Sequence, residues 1–154
     1  MPTAQERDKV TQLVGGGFHV SKTSETLPAS TSQALFTISG GRILVLGLIG
    51  EVTTVVQTQT CNAKLISTPT TGTAVDMCAV LNITAKEVGA LIGITGVPAD
   101  AMVAANAGLA PWPYYRQVLP IGTVNFNTSA TNTGATKWEL YYVPLDTGAV
   151  AVSA

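Results

Sequence analysis

The chain has 154 residues, of which 46% are hydrophobic and only 11% are charged, and its formal net charge is −1. That length fits one domain with a single core. Because about 25% of the residues in a typical soluble domain are charged, this surface must consist largely of uncharged polar groups, which cost less to desolvate than ions. The composition favours a subunit covered by neighbours, although an isolated Thr-rich sandwich would share it.

Charge and hydropathy also exclude two classes of partner. No basic run is present that would match a nucleic-acid backbone, and the longest apolar run, residues 43–50, is far shorter than the roughly 20 residues that span a membrane. The first ten residues alternate acids and bases and lack the apolar stretch of a signal peptide. We therefore expect no nucleic-acid partner, no membrane partner and synthesis in the cytosol.

Residues 1–17 are predicted to form an N-terminal arm. Residues 3–14 have the pattern of a short helix with Val10, Leu13 and Val14 on one face, and three consecutive glycines then end it. The arm either reaches a neighbouring subunit through those three apolar residues or is a frayed terminus. The domain itself is predicted to comprise residues 18–154.

From residue 18 onward the pattern is mainly that of short strands separated by turns. Residues 42–49 are apolar on both faces, as expected for a strand covered on both sides. The preceding Gly40-Gly41 pair is typical of a tight hairpin. In the predicted closing strand, residues 137–143, the side chains of Trp138, Leu140 and Tyr142 share one face.

Two segments depart from this strand pattern. Residues 84–87 have the spacing of a helix capping box, and the alanine-rich residues 98–108 fit either a second short helix or an ordered loop. The predicted fold is therefore all-β: an antiparallel β-sandwich or jelly-roll-like barrel, with one or two short helical turns and an N-terminal arm.

Few residues have the chemistry that catalysis requires. His19 is the sole histidine, the acids are scattered singly, and the glycines lack the pattern of a phosphate-binding loop, so they are interpreted as marks of bulges or close strand contacts. Cys61 and Cys78 are either two buried thiols or an inter-strand disulfide. The sequence predicts no enzymatic activity, no metal and no cofactor.

One segment, residues 111–116, combines the residue types that dominate binding hot spots. Trp112, Tyr114, Tyr115 and Arg116 lie between or just after two prolines that stiffen the backbone. Three interpretations remain open: a loop that folds back over one end of the core, a contact with another protein, or aromatic rings that stack on a sugar.

Several motifs resemble those of small virion proteins of tailed phages. The similarity extends from about residue 26 to residue 154 and includes a closing pattern Trp-x-Leu-x-Tyr-x-Pro-Leu-x-x-Gly-Ala. The motifs that carry it are residues 134–149, Gly40-Gly41-Arg42, residues 50–54 and residues 125–129. The chain resembles the decoration, or cement, proteins on the heads of tailed bacteriophages.

The resemblance implies a jelly-roll-like subunit made in the host cytoplasm and bound to the capsid surface of the virion. Its implied partners are the major capsid protein and further copies of itself, as a dimer or trimer. Two alternatives remain: a structural component of the tail or fibre, and a glycan-binding module for host adsorption.

Overall fold

The computed structural model describes residues 3, 17–105 and 108–154. The predicted arm, with Val10, Leu13 and Val14, therefore lies outside the described residues. In the described part, the chain forms twelve strands: β1 Phe18–Thr26, β2 Ser32–Ser39, β3 Ile43–Thr54, β4 Asn62–Pro69, β5 Val75–Asp76, β6 Leu81–Asn82, β7 Leu91–Gly93, β8 Val103–Ala105, β9 Gln117–Leu119, β10 Gly122–Thr128, β11 Ala135–Pro144 and β12 Val150–Ser153.

These strands form two antiparallel sheets that pack as a sandwich. The first sheet has the order β1-β11-β3-β7-β8, with β9 also beside β3, and the second has the order β12-β2-β10-β4-β5, with β6 also beside β4. Successive strands β1 to β4 alternate between the sheets, and so do β9 to β12. Short connections that cross repeatedly from one sheet to the other are found in jelly rolls, and the all-β sandwich prediction is confirmed.

The core lies between the sheets and centres on β11. Trp138, Leu140 and Tyr142 point inward and are almost fully buried, which confirms the predicted face of the closing strand. The centroid of the Trp138 ring lies 4.9 Å from that of Phe126 on β10. The largest buried side chains of β11 and β10 therefore meet across the sandwich. Burial of such rings supplies much of the hydrophobic stabilisation of a sandwich.

The predicted helical turns are wrong in the described residues. Thr84 Oγ1 accepts a hydrogen bond from the Cys61 amide at 3.0 Å, so this hydroxyl contacts the start of the β4 segment and does not cap a helix. Ala85 has a φ of 56°, in the left-handed region, and its amide donates to Gln57 O. Residues 98–105 form turns and the strand β8 in place of a helix. In both segments, isolated turns are combined with long-range backbone hydrogen bonds, and the described residues form no helix there.

The two cysteines are free and buried in the structure. The Leu65 amide donates to Cys78 Sγ, and Cys61 Sγ donates to Ala130 O. Burial raises the pKa of both thiols above the ordinary value, which keeps them protonated and poorly reactive at neutral pH. Of the two interpretations of the sequence, the buried thiols are therefore the observed one.

The Gly40-Gly41 pair forms a corner between the two sheets and not the predicted hairpin, because β2 and β3 belong to different sheets. Arg42 Nε donates to Asp146 Oδ2 at 2.9 Å, Arg42 Nη2 donates to Oδ1 at 2.8 Å, and the Arg42 amide donates to Oδ2 at 2.7 Å. A side chain on Gly41 would collide with Asp146 Cβ. Two motifs that are distant in sequence thus form one corner.

This corner should make stability depend on pH in the acid range. Asp146 accepts hydrogen bonds from the Arg42 guanidinium and from the Arg42 amide, and the guanidinium is positively charged. Together these effects hold the pKa of Asp146 well below its ordinary value. The unfolded chain therefore takes up this proton more readily than the folded one, so the stabilisation is complete above about pH 4 and declines as the pH falls below it. We expect the Tm of the wild type to fall more steeply than that of Asp146→Asn below about pH 4.

Thermal unfolding followed by circular dichroism at closely spaced pH values checks this expectation. Asp100→Asn is the control, since Asp100 is an exposed carboxylate for which the structure shows a hydrogen bond with Thr95 and no ion pair among the described residues. Parallel Tm curves for the wild type and Asp146→Asn would contradict the assignment of the acid dependence to this corner.

Candidate functional site

The segment 108–116 crosses the outer face of the first sheet, on the side away from the core. A Cβ on Gly93 of β7 would lie 3.0 Å from Pro111 O, and a Cβ on Gly47 of β3 would lie 2.7 Å from Trp112 Cη2. The segment thus passes directly above the backbone of both strands. This agrees with the interpretation of these glycines as points of close approach, and it explains why β3 is apolar on both faces.

Trp112 is held on this face by two contacts. Carbons of its six-membered ring lie above Gly47, and its ring centroid lies 5.2 Å from that of Tyr141 in an edge-on arrangement. Tyr141 in turn stacks on His19 with a centroid distance of 4.7 Å. The strand register explains the arrangement, because Tyr141 of β11 pairs with His19 on one side and Gly47 on the other. We call Trp112, Tyr141 and His19 the aromatic platform.

A carboxylate orients the polar groups at one edge of the aromatic platform. The Tyr141 hydroxyl donates to Glu139 Oε2 at 3.1 Å, and His19 Nε2 lies 3.7 Å from the same oxygen. Desolvation, followed by the hydrogen bond and the charge of Glu139, raises the pKa of Tyr141. A tyrosine hydroxyl is already protonated at neutral pH, and the raised pKa extends the pH range in which this hydroxyl donates to Glu139.

The aromatic platform remains partly open to solvent although its rings contact one another. Trp112 is 49% exposed, and the following Tyr114 and Tyr115 are 88% and 58% exposed. The rings of the two tyrosines meet edge-on at 5.2 Å, and the Tyr115 amide donates to Thr95 O at 3.2 Å. Large rings fixed before binding lose little conformational entropy when a partner covers them, which is the property of a hot spot.

An apolar row lies beside the aromatic platform on the same face. Val118 of β9 pairs with Leu44 of β3, which pairs with Val143 of β11. Leu44 lies between two buried residues of β3, Val118 precedes the buried Leu119, and Val143 follows the buried Tyr142, so these three side chains point outward. Val118 is clearly exposed, and the outer face thus offers apolar area next to the rings.

The sequence-predicted site residues fall into two groups. Trp112, Tyr114, Tyr115 and Arg116 lie together on the segment that crosses the sheet, and Arg116 is exposed. Val10, Leu13 and Val14 lie outside the described residues. The segment does fold back over the protein, as one interpretation had it, but over the outside of a sheet and not over one end of the core.

Two contributors to the aromatic platform were missed in the sequence. Tyr141 alternates with the buried Leu140 and Tyr142, so the same periodicity that predicted the inward face also places this ring outward. His19, the sole histidine, lies on β1, at the end of the first sheet. Its stacking on Tyr141 depends on the β1–β11 register, for which the local sequence gives no signal.

Among the described residues, no group of three or more His, Cys, Asp or Glu side chains could hold a metal ion. Within the same residues, no helix is long and apolar enough to cross a membrane.

Comparison with known proteins adds little. No protein-family model matches the chain, and no curated protein matches it. A chain in the structure of infectious bursal disease virus, Gx strain, is similar over 89% of this chain at 16% identity, with a TM-score of 0.23. This chain spans about a third of that viral chain, 34% of its length. A likeness at this level carries no argument about fold or function.

Proposed function

We propose that this protein is a structural subunit of a virus particle, and specifically a decoration subunit on the outside of a tailed-phage head. The observation that carries the proposal is the aromatic platform, a set of rings held on the outer face of a sheet and still open to a partner. Fixed aromatic side chains bordered by apolar area are typical of protein interfaces.

Composition supports an assembled subunit. Only 11% of the residues are charged, and charge is depleted in the cores of interfaces because buried ions are costly to desolvate. The polar uncharged surface can therefore be covered by neighbours at low cost. The partners in this proposal are the major capsid protein and further copies of this chain.

The physical role is stabilisation by mass action. A subunit that binds the intact shell, and not its dissociated pieces, shifts the equilibrium toward the intact shell. A jelly roll suits this role because its sheets present broad, rigid faces. The motifs that resemble phage proteins support the proposed fold and not the proposed contact surface. Gly40-Gly41-Arg42 and Asp146 meet in the corner between the two sheets, outside the aromatic platform.

The test measures binding of the purified protein to tailless heads that lack it, together with the temperature at which those heads rupture. We expect saturable binding and a higher rupture temperature. Trp112→Ala should weaken binding by about 2 kcal/mol, roughly 30-fold, because a central aromatic contact is lost. Val152→Ala, an exposed apolar truncation on the second sheet, is the matched control and should bind as the wild type does.

Binding that is saturable but equally tight in Trp112→Ala would remove the aromatic platform from the interface. No binding to heads would overturn the decoration role. Copurification with tails would then favour the tail or fibre alternative.

Glycan binding is a second candidate function, favoured by one specific observation. The exposed Trp112 ring lies beside Tyr141, whose hydroxyl donates a hydrogen bond to the Glu139 carboxylate. An aromatic face next to polar groups also suits a sugar ring. A glycan array probed with the wild type and Trp112→Ala separates this function from head binding.

A further inference from the structure

A cavity lies between the two sheets, away from the aromatic platform's rings. Its volume is about 360 Å³, within the range of sites that bind small groups or ligands. One wall comes from β4, β5 and the connection between them, and the other comes from β9 and the residues around it. Most of the lining is apolar and includes Val75, Met77, Pro98, Leu119 and Pro120.

One residue of this lining, Gln117, has a buried oxygen without a hydrogen-bond donor among the described residues. Gln117 Nε2 donates to Met77 O at 2.8 Å and to Gly96 O at 3.1 Å, which uses both of its hydrogens. The same amide's Oε1 is buried and accepts no hydrogen bond from any described residue. A buried acceptor without a donor costs about 1–3 kcal/mol. This oxygen has no surface that an occupant of the cavity could contact, so Gln117 fixes the wall through its two donated hydrogen bonds and does not select the occupant.

The lining contains one charged residue, and that charge is already neutralised. Asp76 lines the cavity, and Lys64 Nζ donates to Asp76 Oδ2 at 2.8 Å. An additional charged group would be desolvated without a partner in these apolar walls. The chemistry of the lining favours an uncharged apolar group.

The strands around the cavity favour a polypeptide as the occupant. β5 pairs with β4, and β9 pairs with β3. In the part of the chain that the structure describes, neither has a strand on its other side. Such edges carry backbone N–H and C=O groups that can pair with an added strand. The cavity is thus bordered by one edge strand from each sheet.

We propose that this cavity is a docking site for an extended polypeptide segment of a neighbouring subunit. One apolar side chain of that segment enters the cavity, and the backbone N–H and C=O groups beside it pair with an open edge of β5 or β9. Assignment of the segment to a neighbouring subunit rests on the proposed function, whereas the cavity's preference for an apolar peptide is tested on the isolated protein.

The test uses the full chain labelled at the methionine methyl groups and at the tryptophan indoles, observed by NMR. The probe is the acetylated, amidated pentapeptide Thr-Thr-Leu-Thr-Thr, titrated to several times about 1 mM, the dissociation constant typical of so small a contact. A second probe is the same peptide with its backbone amides methylated on both sides of the leucine, which removes the donors. We expect a saturable shift of the Met77 methyl resonance with the first peptide and none with the second.

Ser67→Leu provides the matched variant. Ser67 lines the cavity from β4 and pairs with Val124, whose side chain is buried in the core, so a leucine at this position fills the space without removing a core contact. This variant should lose the Met77 shift, whereas Ser153→Leu on β12 should keep it.

Three outcomes would overturn the proposal: no Met77 shift with the first peptide, equal shifts with both peptides, or a shift confined to the Trp112 indole. None of these depends on phage heads. Failure of head binding with an intact peptide response would overturn the decoration role alone.

Discussion

Replacing Trp138 with alanine is expected to lower the free energy of unfolding by about 3–5 kcal/mol, the usual cost of removing a large buried ring. Trp138 is only 1% exposed and packs against Phe126. Its indole Nε1 donates to Thr136 Oγ1 at 3.1 Å, and its ring covers Gly50, where a Cβ would lie 2.8 Å from Cη2. Truncation therefore leaves a large void and an unpaired hydroxyl at the centre of the sandwich.

Equilibrium unfolding in urea, followed by far-UV circular dichroism, measures this loss. Tyr114→Ala is the control, since Tyr114 is an aromatic residue with 88% exposure, and its free energy of unfolding should stay within about 0.5 kcal/mol of the wild type. A loss smaller than about 1 kcal/mol in Trp138→Ala would contradict the central position of this ring in the core.

Replacing Gly47 with valine is expected to abolish most of the head binding that depends on Trp112, with a smaller effect on stability. A Cβ at this position would meet three carbons of the Trp112 ring at 2.7–3.1 Å, so the ring must move off the sheet. The Gly47 backbone has no left-handed φ, and valine suits a strand. The cost therefore falls on the aromatic platform and not on the fold.

Two measurements check this expectation. Affinity for tailless heads should fall about as far as in Trp112→Ala, roughly 30-fold. In a Trp138→Phe background, the fluorescence of Trp112 should shift to longer wavelength as the ring becomes more solvated. Ser39→Val, an exposed outward position of the second sheet, is the control. Full head binding by Gly47→Val would show that the position of Trp112 on the sheet is not needed for the contact.

Alternation predicted the parts of the fold that depend on local pattern. Trp138, Leu140 and Tyr142 were assigned correctly to one buried face, because successive side chains of a strand point to opposite sides. The apolar outer face of β3 was also anticipated, although the sequence did not identify what covers it.

Errors arose where one local pattern is compatible with two distant arrangements. Gly40-Gly41 permits a hairpin or a corner, and the contact of Arg42 with Asp146 decides between them. Residues 84–87 have capping-box spacing, but Thr84 contacts the backbone of Cys61. In both cases the deciding partner is remote in sequence, and propensity contains no information about it.

The candidate site was predictable by residue type and not by geometry. Trp112 and its neighbours were selected because such residues dominate hot spots. Their position over β3 depends on Gly47, and their contact with Tyr141 depends on how β11 inserts between β1 and β3. The cavity beside Gln117 gave no signal, because its walls come from segments of both sheets.

The strand order has a consequence for synthesis of the protein. β10 and β11 occupy interior positions of their sheets, and β11 separates β1 from β3. Neither sheet can therefore be completed until residues 122–144 have left the ribosome. Chains with such non-local pairing fold slowly, because long loops must close before any contact compensates for their entropy. A chain that terminates before β11 would lack the strand that connects β1 to β3 in the first sheet. Only chains translated past β11 would therefore be competent to assemble.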